Sequence, residues 1–132
     1  MRRGLQTLLA VVGTVAVLAG LYAVVLGAGQ VLGPDRYSDN IDSEIRFFAA
    51  WYVVAGVALL RTLPQIEREG RTILFVAAGF FLAACGRAIS LAVVGPPSPF
   101  YIALMAIEFL LPVVVIPWQR HVSQTTESSD SR

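Results

Sequence analysis

Leu82-Ala-Ala-Cys-Gly-Arg-Ala-Ile-Ser90 lies inside the long apolar run from Thr72 to Val94 and sets Arg87 well within it. A guanidinium keeps its proton at any ordinary pH, so this charge must be paired, wetted or stretched toward the headgroups. On insertion scales an arginine at the centre of a membrane helix costs about 3 kcal/mol. The next apolar run is interrupted in the same way by Glu108, which makes Glu108 the expected partner of Arg87. The pattern predicts an all-α protein, an integral membrane four-helix bundle with a polar knot near one face.

Composition points the same way. The chain has 132 residues, 56% of them hydrophobic and only 14% charged, with a mean hydropathy of +0.69. A soluble domain carries roughly a quarter charged residues. The net charge of +1 argues against nucleic-acid binding. All ten basic residues are Arg and none is Lys, a composition that fits a GC-rich bacterial genome. The lone Cys85 excludes an internal disulfide. No glycine-rich phosphate loop, paired cysteines or zinc-ligand spacing is present, so no cofactor, metal site or catalytic constellation is expected.

Outward from the central run, the chain divides into a four-helix transmembrane domain over 1–122 and a polar tail over 123–132 that is expected to be disordered. The expected spans are 5–28, 44–63, 72–94 and 100–117, each long enough to cross the hydrocarbon core. The first follows the basic start Met1-Arg2-Arg3. It is longer than the apolar stretch of a signal peptide, which runs about 7–15 residues, and reads as a retained span. Gln30–Ser43 reads as a polar loop, broken by Gly33-Pro-Asp-Arg-Tyr-Ser-Asp-Asn40, with Gln65–Arg71 as a charged turn and Gly95-Pro-Pro-Ser-Pro99 as an uncharged turn. Asp42 reads as the helix cap of the second span, with Glu44 in its first turn. Arg2, Arg3, Arg61, Arg68, Arg71 and Arg120 fall on one side of the spans. The positive-inside rule then puts both termini in the cytoplasm of a bacterial cell, in the inner membrane.

The charges also have depths. Arg87 lies about 10 Å in from the outer end of its span, and Glu108 about 12–15 Å in from the same side. Glu44 and Arg46, at the outer end of the second span, are expected to cap the same cluster. Ser90 lies on the face of Arg87, one turn on. Phe48 and Trp51 follow Glu44 on one helix face as an aromatic wall. Pro112 lacks the N–H that would reach the Glu108 carbonyl, so a kink is expected there. This cluster of Glu44, Arg46, Arg87, Ser90 and Glu108 reads either as a structural pair or as a ligand contact. Asp35, Asp39 and Asp42 match no calcium loop and read as solvated loop residues. Gly13, Gly20 and Gly27 recur every seven residues and form a smooth helix-packing face.

Two blocks carry a family resemblance. The first is Asn40-Ile-Asp-Ser-Glu-Ile-Arg-Phe-Phe-Ala-Ala-Trp51, and the second runs from Phe81 to Pro97. Together they resemble a domain-of-unknown-function family of small bacterial four-helix membrane proteins. Its pattern is a D-S-E-x-R-F block opening helix two, a G-R-x-x-S block in helix three and an acid in helix four. The matching positions are Asp42, Ser43, Glu44, Arg46 and Phe47, then Gly86, Arg87 and Ser90, then Glu108. The resemblance covers residues 4–118 and is distantly similar to DoxX-like four-helix proteins. It implies an architecture and a set of polar positions, not a reaction.

Two functions follow as expectations. One is a non-enzymatic accessory subunit that packs sideways, through the glycine face, on other integral membrane subunits. A transporter of lipids or other hydrophobic cargo is the expected kind of assembly. The other is a stand-alone binder of a lipid or quinone-like amphiphile. Arg46 and Arg87 would hold the polar head, and Phe48, Trp51 and Tyr52 would line the tail. The bilayer itself is a partner in both.

Overall fold

The computed structural model describes residues 1–32 and 37–130, with side chains described through 125. The described residues are helical with no strand. Four of the helices are long and apolar enough to cross a membrane. In chain order the helices are α1 (Arg2–Leu26), α2 (Ala28–Leu32), α3 (Asp39–Thr62), α4 (Gly70–Val93) and α5 (Pro99–Asp130), with a 3₁₀ turn at Leu63–Gln65. The chain forms two compact units. One is Gln6–Pro64; the other is Gln65–Arg132 together with Met1–Leu5.

In the first unit α1 and α3 approach almost backbone to backbone. A Cβ on Gly20 would stand 2.7 Å from the Ala49 carbonyl oxygen, and one on Gly56 would stand 2.6 Å from that of Gly13. Neither distance tolerates a side chain, so glycine sets the spacing between these helices. Gly13 and Gly20 therefore form a packing face, but α3 of the same chain covers it. The expectation that this face is open to a partner protein is corrected. Lower down, the Gln6 amide donates to the Leu63 carbonyl at 2.7 Å. That bond satisfies one of the carbonyls left without a helical partner where α3 ends.

Gly27 ends α1 with φ +69, the left-handed conformation that a glycine adopts at no steric cost. Its N–H closes the last helical turn on the Ala23 carbonyl at 2.9 Å. Beyond it α2 begins, and the Asp42 carboxylate accepts the Ala28 N–H at 2.7 Å. Asp42 also accepts from Arg46 Nε at 2.7 Å, one turn along α3. Arg46 Nη1 donates in turn to the Val24 carbonyl and, at 3.2 Å, to that of Val25. An αL glycine and an Asp–Arg clamp thus tie the carbonyl end of α1 to the first turns of α3.

This geometry corrects the expected role of Asp42. α3 starts at Asp39, five residues before the expected Glu44, and Ser38 is its N-cap, accepting the Ile41 N–H at 3.4 Å. Asp42 lies in the first turn, and the helix it caps is α2. Asp35 and the rest of the 33–36 loop lie outside the described residues.

In the second unit α4 and α5 pack along their length. Phe81 meets Phe109 edge-on, with ring centroids 5.5 Å apart. Gly95, with φ +114, turns the chain after α4. α5 continues through Pro112 and Pro117 and runs to Asp130. A disordered tail over 123–132 was expected; its residues 123–130 are helical here, and 131–132 lie outside the described residues. Ser123 Oγ donates to the Glu67 carbonyl at 2.7 Å and accepts from the Gln119 amide at 2.9 Å. Gln119, only 7% exposed, also donates to the Ile66 carbonyl at 3.3 Å. These side chains satisfy the turn ahead of α4, which holds the helix past the end of its apolar run. At the same end Arg2 pairs with Glu67 at 3.1 Å, and Gly4 lies against the Trp118 ring.

Candidate functional site

Arg87 on α4 and Glu108 on α5 form an ion pair. Arg87 Nε donates to Glu108 Oε2 at 2.9 Å, and Nη2 reaches Oε1 at 3.5 Å. The guanidinium edge thus lies along the carboxylate, the two-pronged arrangement that a lysine cannot make. Burial is unequal. The Glu108 side chain is 2% exposed, and that of Arg87 is 28% exposed. The outer face of the guanidinium lies over the Tyr101 ring, 5.5 Å from its centroid. An aromatic face attracts a cation most strongly where water is scarce.

Beside the pair is a small cavity of about 90 Å³. Arg87, Ser90 and Tyr101 supply its polar wall, and Leu91, Ile102 and Met105 its apolar one. The pair is neutral as a whole, so the site suits an uncharged group that accepts hydrogen bonds. The donor-bearing groups in its lining are the Arg87 guanidinium and the hydroxyls of Ser90 and Tyr101.

Of the other expected members, Ser90 belongs to the second unit with the pair, and Glu44 and Arg46 belong to the first. Arg46 is held within the first unit by Asp42 and the α1 carbonyls. Glu44, Phe48 and Trp51 are exposed positions on α3. Each unit thus has a polar centre of its own. One is the Asp42–Arg46 clamp, and the other is the Arg87–Glu108 pair with Ser90 at its cavity. Tyr101 was missed at the sequence level. Its signal was an aromatic hydroxyl in the first turn of the helix that carries Glu108. Among the described residues no group of three metal-ligating side chains comes together.

Residues 4–119 match the family described as a domain of unknown function, DUF4345. The chain belongs to the DUF4345 family. The match takes in α1 through most of α5, so the clamp and the ion pair both fall within the DUF4345 region. No curated protein matches the chain, and no solved structure does. The expected DoxX likeness is not among these findings.

Proposed function

We propose that this DUF4345 protein is a non-enzymatic accessory subunit that packs laterally on a larger assembly in the bacterial inner membrane. The observation that supports this is on α4. A Cβ added at Gly79 or at Gly86 would meet nothing within 4 Å. With Ala83 between them, these positions lie on one exposed face of the helix. Small residues on an exposed face of a membrane helix let another helix approach closely. Gly86→Leu is therefore expected to remove a co-purifying membrane partner while the chain still folds, as judged by its circular dichroism and elution volume. Undiminished recovery of the partner would defeat the reading. The arginine-rich ends of the helices face the cytoplasm in this proposal, under the positive-inside rule. A transporter of hydrophobic cargo is one assembly that a subunit of this kind would serve.

A second reading rests on the cavity beside Arg87. The neutral ion pair and the two hydroxyls suit the carbonyl of a quinone or of a lipid ester, with the chain of the amphiphile lying in the bilayer. Arg87→Met with Glu108→Leu removes the donor without stranding a charge. Loss of a bound amphiphile from that double variant, measured by mass spectrometry of the purified protein, would favour this reading. Equal retention would exclude it.

A further inference from the structure

At the end of the α4–α5 pair remote from Arg87 lies a second and larger cavity, of about 520 Å³. Gly70 opens α4 at this cavity, and Arg87 is 17 residues further along, about 25 Å at 1.5 Å per residue. Three arginines line it: Arg68 in the turn before α4, Arg71 in its first turn, and Arg120 on α5. They make no ion pair among the described residues. The one acidic lining residue is Glu67, whose carboxylate Arg2 already answers at 3.1 Å. The lining therefore carries a surplus of positive charge. Ile73, Leu74 and Ile116 make the rest of the wall apolar.

We propose that this cavity binds an anionic phospholipid, with its phosphate among Arg68, Arg71 and Arg120 and the start of an acyl chain against Ile73, Leu74 and Ile116. Three observations combine. The volume falls in the range of ligand pockets, about 300–1,000 Å³. The arginines stand where the apolar runs begin and end, at headgroup level, and basic pockets between membrane helices at that level take acidic headgroups. The α4 N-terminus adds to the positive field. Its first turn carries no acidic residue, and the Glu69 carboxylate just before it caps no backbone N–H but accepts from the Thr72 hydroxyl at 2.8 Å. A free phosphate ion would use the arginines but not the aliphatic wall, and that wall favours a lipid as the source of the phosphate.

The test uses the full chain in mild detergent, with native mass spectrometry as the readout. Phosphatidylglycerol and phosphatidylcholine are titrated separately, and inorganic phosphate is a third arm. Wild type should retain one phosphatidylglycerol and release phosphatidylcholine. Arg68→Gln, Arg71→Gln and Arg120→Gln combined should weaken phosphatidylglycerol binding by about a hundredfold, from about fivefold for each surface charge. Equal retention of the two lipids by wild type would overturn the proposal, and that comparison does not depend on any variant folding. Displacement of the lipid by millimolar inorganic phosphate, or an unchanged affinity in a folded triple variant, would overturn it as well. Neither result bears on the Gly86 face, whose own variant leaves these arginines intact.

Discussion

Removing the Arg87 guanidinium would leave the Glu108 carboxylate 2% exposed with its cation gone. Breaking a buried ion pair from one side costs about 3–5 kcal/mol, because the remaining charge is still desolvated. The low end applies here, since Arg87 is 28% exposed and water already meets part of the guanidinium. Arg87→Met is thus expected to destabilise the chain by about 3 kcal/mol. Glu108→Leu strands a charge that can extend toward the headgroups, and about 2 kcal/mol is expected. The double variant replaces a pair by two apolar side chains, a change that is often close to neutral. It should therefore be more stable than either single variant, which with the single costs above is a coupling of about 3–5 kcal/mol. The assay is reversible unfolding in mixed micelles, with all four proteins compared in one micelle composition. Single effects that simply add, to within about 0.5 kcal/mol, would refute the reasoning.

Three further outcomes follow from the contacts described. Gly20→Leu should separate α1 from α3, because a Cβ there meets the Ala49 carbonyl at 2.7 Å; cysteine cross-linking between the two helices should fall, and unchanged cross-linking would contradict the packing. Gly27→Ala should destabilise by about 1 kcal/mol or more, from φ +69 and from the contact of its new methyl group with Arg46 and Asp42; unfolding of this variant in micelles measures it, and an unaltered stability would count against the clamp. The Glu67 carboxyl is held below its usual value of 4.5, first by its own backbone N–H; burial opposes this, and Arg2 and then Arg68 add to the lowering. A lowered folded-state value stabilises above the unfolded value, and the contribution disappears as pH falls through the folded one. The stability gap between wild type and Glu67→Gln should therefore be present at pH 6, at about 0.5 kcal/mol or less for a pair whose arginine is 49% exposed, and close below the usual carboxylate range. A gap that widens on acidification would show the sign to be wrong.

The parts legible in the sequence are those that hydropathy and charge report directly. Arg87 and Glu108 each interrupt an apolar run at similar depth, and a charge so placed needs a counterpart. Their side-on geometry in the structure follows from that need. The four apolar runs could be read for the same reason, because a spanning helix satisfies its own backbone and is written in length and composition alone. Helix ends are another matter. The apolar run stops near Trp118, yet α5 continues, because Gln119 and Ser123 reach back to the Ile66 and Glu67 carbonyls. Hydropathy records where lipid ends, not where hydrogen bonding ends. Similarly, Asp42 has the residue type of a cap, but Ser38 takes that place and Asp42 turns to Ala28 across a glycine bend. That choice depends on the approach of α1, which no local pattern encodes. The spacing of Gly13 and Gly20 marks a packing face without naming its partner. Gly56, on α3, was the signal that the partner lies in the same chain.

The most direct test of the subunit proposal is the native mass of the wild-type chain, tagged after Arg132 and extracted gently from the membrane in which it is expressed. The chain alone is 14.2 kDa. A stoichiometric complex with larger membrane polypeptides, lost in Gly86→Leu, is the predicted result. A particle containing only this chain, with or without bound lipid, would contradict it.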